Sequence, residues 1–294
     1  GDAELNLSKL MGVINKLLVN ENIRDMLQKI IHSGLYCGQV ARDYQIRVKG
    51  VTPQNAANWA NLGHTLTPEF CPYLAHTYTR PMMQGIANGP EKPVEQVVPN
   101  YDYIFWESPM AAAVWQVVAR ALRDMEIECP VDQHWHDIFR NLQNQHDKEF
   151  TTEFYIKSAT VLTGLWILYQ NYKRLTEEYL MARTEDKQLP DLVVHSWLSQ
   201  IKREIHESLG NLGFCLPVMQ NEAKKRATYL VDGRKTPCYG QREKALWPPT
   251  VITTKLTNQS RELYDKYWLK TSILEIREND VLHTKPFHSH DYPP

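Results

Sequence analysis

The densest set of side chains able to hold a metal or move a proton lies in the segment HWHDIFRNLQNQHD, which carries His134, His136, Asp137, His146 and Asp147. Imidazoles and carboxylates in this number are the raw material of a divalent-ion centre or a general acid–base pair. On one continuous helix, however, His134 and His136 stand about 200° apart and share no metal, whereas ligands four residues apart would. The spacing therefore predicts a solvated helix flank with His146 at its end, where a protonated imidazole suits the helix dipole. A second pair, His288 and His290 in HSHD, falls at the two-residue spacing that puts side chains on one face of an extended segment. Two imidazoles are half of a tetrahedral set, so the expectation is ordinary exposed histidines, with no metal and no cofactor.

Other chemistry finds no footing in the sequence. There is no HExxH, no CxxC pair, no GxxxxGK or GxGxxG phosphate loop and no GxSxG nucleophile turn. The five cysteines, Cys37, Cys71, Cys129, Cys215 and Cys238, are scattered and odd in number, which predicts free thiols in a reducing compartment. Cys215 and Cys238 are conceivable nucleophiles, but neither has a base placed beside it by the sequence.

Two segments resemble known families. The histidine followed by an adjacent His136-Asp137 pair resembles the metal-binding helices of HD-type phosphohydrolases, which would imply a metal-dependent hydrolase; a further Asp on the right face has no obvious candidate. Residues 38–62, with Val40-Ala41-Arg42, then Ile46, then a capped segment reaching Trp59, resemble the helix-turn-helix of transposase-like DNA binders. Here Gln45 stands at the turn position usually held by Gly, and Arg47 to Val51 inserts residues where that motif turns tightly. The candidate recognition helix, Pro53 to Leu62, also has no Lys or Arg for phosphate contact.

Charge is distributed more tellingly than its total. Across 294 residues, 33 Lys and Arg face 34 Asp and Glu, a net charge of −1, which argues against a basic field over the whole surface. Between Glu222 and Lys255, eight cations face three acids, a local balance of +5. Lys224, Lys225, Arg226, Arg234, Lys235, Arg242 and Lys244 are the candidate nucleic-acid or partner contacts there, with Tyr229, Tyr239 and Trp247 interleaved to stack on bases. Between Glu126 and Asp191, twelve acids face seven cations, a balance of −5. Opposite charges on separate stretches suit head-to-tail packing of identical subunits.

The elements that must position these groups are helical. Leu10, Val13, Ile14 and Leu17 fall at helical spacing, as do Ile23, Met26, Leu27, Ile30 and Ile31 before Gly34. Helix starts are read at Thr52-Pro53, Thr67-Pro68 and Ser108-Pro109, the last opening a helix apolar on most sides and therefore central. Thr151 or Thr152 caps a run that stays helical to about Arg183, and Pro190 starts a helix that Gly210 ends. The most apolar window, Ser158 to Tyr169, is too short for a membrane span of about 20 residues. Tyr44, Ile46 and Val48 give a weak single-strand signal, and short helices are read near Asn221 to Leu230 and Gln259 to Leu269.

The expected fold class is mainly α: an N-terminal helical region over 1–80, a Pro-rich linker or arm over 81–100, a helical bundle core over 101–210 and an irregular, wrapping C-terminal region over 211–294. The tail from Asp280 to Pro294 has no apolar period and should fray unless it lies on a surface, a neighbour's or the chain's own. Pro81, Pro90 and Pro93 of the arm, with Phe287, His288 and Tyr292 of the tail, are the candidate assembly residues. Together these features predict a non-enzymatic, self-assembling structural subunit, in style similar to the helical capsid proteins of small double-stranded RNA viruses. The expected partners are copies of itself or other subunits of a large assembly, and RNA through the local basic face. A supernumerary subunit of an organellar or ciliary complex would read much the same. No signal peptide opens the sequence, so the expected location is the cytoplasm or a virion.

Overall fold

The computed structural model of the chain describes residues 5–17, 19, 21–35, 37, 100–131, 134–184, 198–213, 254–255 and 258–292. The strand expected at 44–48, the helix starts at 53 and 68, the segment 38–62, the Pro81, Pro90 and Pro93 arm and the basic run from Lys224 to Lys244 lie outside these residues. The described part is mainly helical. It falls into two compact units, one drawn from 1–28, 112–167 and 200–294 and the other from 29–111 and 168–199.

In the first unit, α1 (Leu7–Ile14) begins where the Asn6 side chain accepts a hydrogen bond from the Lys9 amide at 3.1 Å, satisfying one of the donors a helix start leaves open. Leu10, Val13, Ile14 and Leu17 are buried as their spacing predicts. The second helix, α2 (Glu21–Ile31), is tied to the end of α1 by Arg24, whose guanidinium donates to the Leu17 carbonyl at 3.1 Å. It stops at the expected place, but Ser33 rather than Gly34 takes the left-handed conformation, at φ 52°. The Gly34 amide then closes the turn onto the Lys29 carbonyl at 2.7 Å.

The central helix, α3 (Pro109–Asp124), opens as read: the Ser108 hydroxyl accepts from the Ala111 amide at 3.1 Å ahead of a proline that needs no donor partner. Next come α4 (Asp137–Gln143) and α5 (Thr152–Thr184), whose 33 residues make a rod about 50 Å long. Thr151 caps α5, accepting from the Phe154 amide at 3.2 Å. Within the first unit α3 and α5 meet at Gly164, where a Cβ would stand 3.1 Å from Trp115 and 3.2 Å from Val118. None of the described helices is long and apolar enough to cross a membrane.

Over its described residues, the C-terminal region holds regular elements where irregular wrapping was expected. A helix over 198–213, here α6, is followed by β1 (Thr254–Lys255), α7 (Asn258–Leu263), a π-helical turn (Tyr264–Trp268), β2 (Leu274–Arg277) and β3 (Val281–Thr284). The strands form an antiparallel sheet in the order β1-β3-β2, with Leu282 opposite Thr254 on one side and Ile276 on the other. Asp280, at φ 58°, turns β2 into β3. Tyr264, Tyr267, Trp268, Ile273, Leu274 and Leu282 are buried, so this stretch packs a core of its own. A second correction concerns Gly210, which does not end its helix: α6 runs on to residue 213.

In the second unit the phenol of Tyr101 bridges one residue's main chain, accepting from the Leu35 amide and donating to the Leu35 carbonyl, both at 2.9 Å. Burial above all, with the charge of Cys37 adding to it, pushes that phenol up to about 12, although the bond to Leu35 acts the other way. Because the folded value is raised, the neutral phenol's contribution is intact below pH about 10 and is lost as pH rises towards about 12. Replacing Tyr101 by Phe strands the Leu35 carbonyl, while the Leu35 amide keeps the Lys29 carbonyl at 3.2 Å, and is expected to cost about 1–3 kcal/mol in urea unfolding. An unchanged midpoint would show that the bridge carries no stability.

Candidate functional site

The residues that converge in this structure are those of the tail and α6. Lys202, His206, Gly210 and Gly213 recur at four- and three-residue spacing and so share one face of α6. That face carries the C-terminal segment. The Lys202 ammonium donates to the Tyr292 carbonyl at 3.0 Å. His206 meets both the Tyr292 hydroxyl, at 2.8 Å, and the Lys285 carbonyl, at 2.9 Å. Further along, Gly210 lies against Thr284 and Gly213 against Leu274. As α6 advances, the segment it touches recedes from Tyr292 to Leu274, so the two run antiparallel.

The hydrogens of this site follow from its partners. A carbonyl only accepts, so Nε2 of His206 carries a hydrogen and donates it to Lys285. In the neutral ring Nδ1 is then an acceptor, and Tyr292 donates to it. Tyr292 in turn accepts from the Ser272 hydroxyl at 3.2 Å, giving one ordered row: Ser272, Tyr292, His206, Lys285 main chain. Burial, which disfavours the charged imidazole, holds His206 below the ordinary histidine value despite its bond to Lys285. Burial also lowers Lys202 and raises Tyr292.

Around this row, cations hold main-chain oxygens. Arg120 of α3 donates to the Asp291 carbonyl, and the Lys285 ammonium to the Thr271 carbonyl at 2.7 Å. Phe287 stacks on Tyr292 with ring centres 5.8 Å apart, and the Arg203 guanidinium lies 6.0 Å from the Phe287 ring centre. With both ring nitrogens of His206 engaged and the surrounding donors on carbonyls, the arrangement holds a chain segment in place.

Phe287 and Tyr292, read from the sequence as parts of a tail that needs a surface, a neighbour's or the chain's own, are seated on the chain's own unit, Tyr292 with 2% of its surface exposed. His288 and His290 do face solvent, their rings stacked 5.2 Å apart, and His290 pairs with Asp291 at 3.7 Å. The sequence reading singled out neither His206 nor Lys202. Their signal is the Lys202, His206, Gly210 line, a polar and small-residue stripe beside the apolar Ile201, Ile205, Leu209 and Leu212.

The His134 to Asp147 cluster also differs from expectation. The segment is not one helix: α4 begins only at Asp137, and the turn before it brings the His134 and His136 rings to 4.6 Å instead of opposite sides. Asp137 accepts from the His134 amide at 3.0 Å and from Arg140 at 3.0 Å, the place of an acid at a helix start. Its neighbour in the cluster, His146, is bonded to Asp147 at 2.7 Å and packs against Gly12 of α1. That hydrogen bond holds the Asp147 carboxyl below its usual range. The cluster divides into two parts, one starting α4 and one seating α1 on it, the latter reinforced by the Asn6 amide on Gln143 at 2.6 Å. No family model matches the chain, and neither a curated protein nor a solved structure is significantly similar to it.

Proposed function

We propose that the chain is a non-enzymatic structural subunit that assembles with copies of itself, as capsid and nucleocapsid proteins do, with RNA as the candidate ligand of its basic run. The observation that carries this reading is electrostatic. Within the stretch of balance −5, Glu128, Glu149 and Glu153 are exposed, so its acidity faces solvent and is open to a neighbour. The run of balance +5 between Glu222 and Lys255 would supply the complementary charge from the next copy. Leu7 and Leu269, each exposed over half or more of its surface, add apolar area of the kind that contacts between subunits cover. This reading assigns assembly to charged faces, since the tail is occupied within its own unit.

Size-exclusion chromatography with light scattering, with absorbance at 260 and 280 nm, tests it. The expected result is a species larger than a monomer that dissociates as salt is raised from about 0.1 to 1 M, where screening shortens from about 10 Å to 3 Å. Excess absorbance at 260 nm would mark bound nucleic acid. A monomer at every salt and protein concentration would overturn the reading.

A further inference from the structure

We propose that residues 285–292 form a pH-operated strap, closed on α6 while His206 is neutral and opened when that imidazole takes up a second proton. The proposal goes beyond assembly and concerns a single unit, so it stands whether or not the chain self-associates. His206 is fully buried, and each of its nitrogens is committed: Nε2–H to the Lys285 carbonyl, Nδ1 to the Tyr292 hydroxyl hydrogen. A proton arriving at Nδ1 meets a hydrogen already pointing at it. Accommodating it requires the Tyr292 hydroxyl to turn and donate to Ser272, reversing the two bonds between Ser272 and Nδ1 while Nε2–H stays on the Lys285 carbonyl. Even then the charge is sealed from water, whereas in the open strap it is solvated.

The charged groups around the ring do not offset this. Its own helix supplies Lys202, Arg203 and Glu207; the strap supplies Lys285, His288 and Asp291; α3 supplies Arg120. Asp291 and Glu207 favour an added positive charge and His288 opposes it, yet burial outweighs them and the imidazole stays below its ordinary value. The sign follows. A histidine depressed in the closed form leaves closure at full strength above pH about 6.5, and closure weakens as pH falls from there towards the depressed value. One proton is involved, so the opening constant rises about tenfold per pH unit across that window.

The test is amide exchange in the full chain between pH 7.5 and 5, expressed as protection factors for the Lys285 and Asp291 amides, which bond to Ile273 and His288. In the unsubstituted protein, protection is expected to fall by up to tenfold per pH unit below about 6.5 until the depressed closed-form value is reached. It should stay level in His206→Gln, which keeps one donor and one acceptor but binds no proton, and keep falling in His288→Gln. Level protection in the unsubstituted chain, or the same fall in His206→Gln, would overturn the proposal. Should His206→Gln fail to fold, the His206 ring resonance of the unsubstituted chain decides. It must titrate below about 6.5, at the pH where the fall in protection levels off, and titration at 6.5 or above refutes the strap.

Discussion

Ending the chain at Thr284 is expected to lower its unfolding free energy by about 4–6 kcal/mol, read by urea denaturation. Tyr292 is almost fully buried, and withdrawing a side chain of that size removes about 1.5–3 kcal/mol of apolar burial. Both ring nitrogens of His206 then exchange their protein partners for water, at about 0.5–1.5 kcal/mol net for each bond. Losing the Lys285 amide bond to Ile273 loosens the edge of β2 as well. A tail that merely reached a neighbour would behave differently. Its deletion would lower the order of the oligomer and leave the unfolding of the unit unchanged, and that outcome would refute the seating described here.

Gly213→Ala is expected to destabilise the first unit by about 2–3 kcal/mol, against the usual sign. In an ordinary helix interior, alanine in place of glycine stabilises by about 1 kcal/mol, because it restricts the unfolded chain. At Gly213 the new Cβ would stand 2.3 Å from Leu274 Cδ1 and 3.4 Å from Trp268, and both of those side chains are fully buried, so making space displaces packed neighbours. Gly210→Ala meets the Thr284 side chain at 2.6 and 2.7 Å, and a β-branched residue in a strand has few rotamers to escape into. Each variant should therefore lower the urea midpoint. A gain in stability at either position would mean that α6 does not press on the hairpin.

Much of the helical framework was legible because its signals are local. Leu10 to Leu17 and Ile23 to Ile31 carry a 3.6-residue period, Phe154 to Tyr172 is a long apolar run without a breaker, and Asn6, Ser108 and Thr151 sit at caps whose bonds span three residues. The hairpin was not legible. Strands Leu274–Arg277 and Val281–Thr284 are four residues each, too short to show alternation, and only Leu274 of the first and Leu282 of the second are buried. Gly210 was misread as a stop because a glycine late in an apolar period has two meanings, a helix end or a close approach, and only the position of Thr284 distinguishes them. The same reason hid the site itself. A lone histidine beside an apolar stripe and a tyrosine in the tail are 86 residues apart, and nothing local links His206 to Tyr292. For His134 and His136 the error was one of helix boundary: moving the start of α4 to Asp137 brings together two rings that a continuous helix would separate.

A double-mutant cycle between His206→Leu and Tyr292→Phe, scored by urea unfolding, would test the seating of the tail most directly. Direct contact between the two side chains predicts a coupling energy of about 1–2 kcal/mol, because either change alone already breaks the bond they share. Additive effects, within about 0.3 kcal/mol, would contradict it and place Tyr292 somewhere other than on His206.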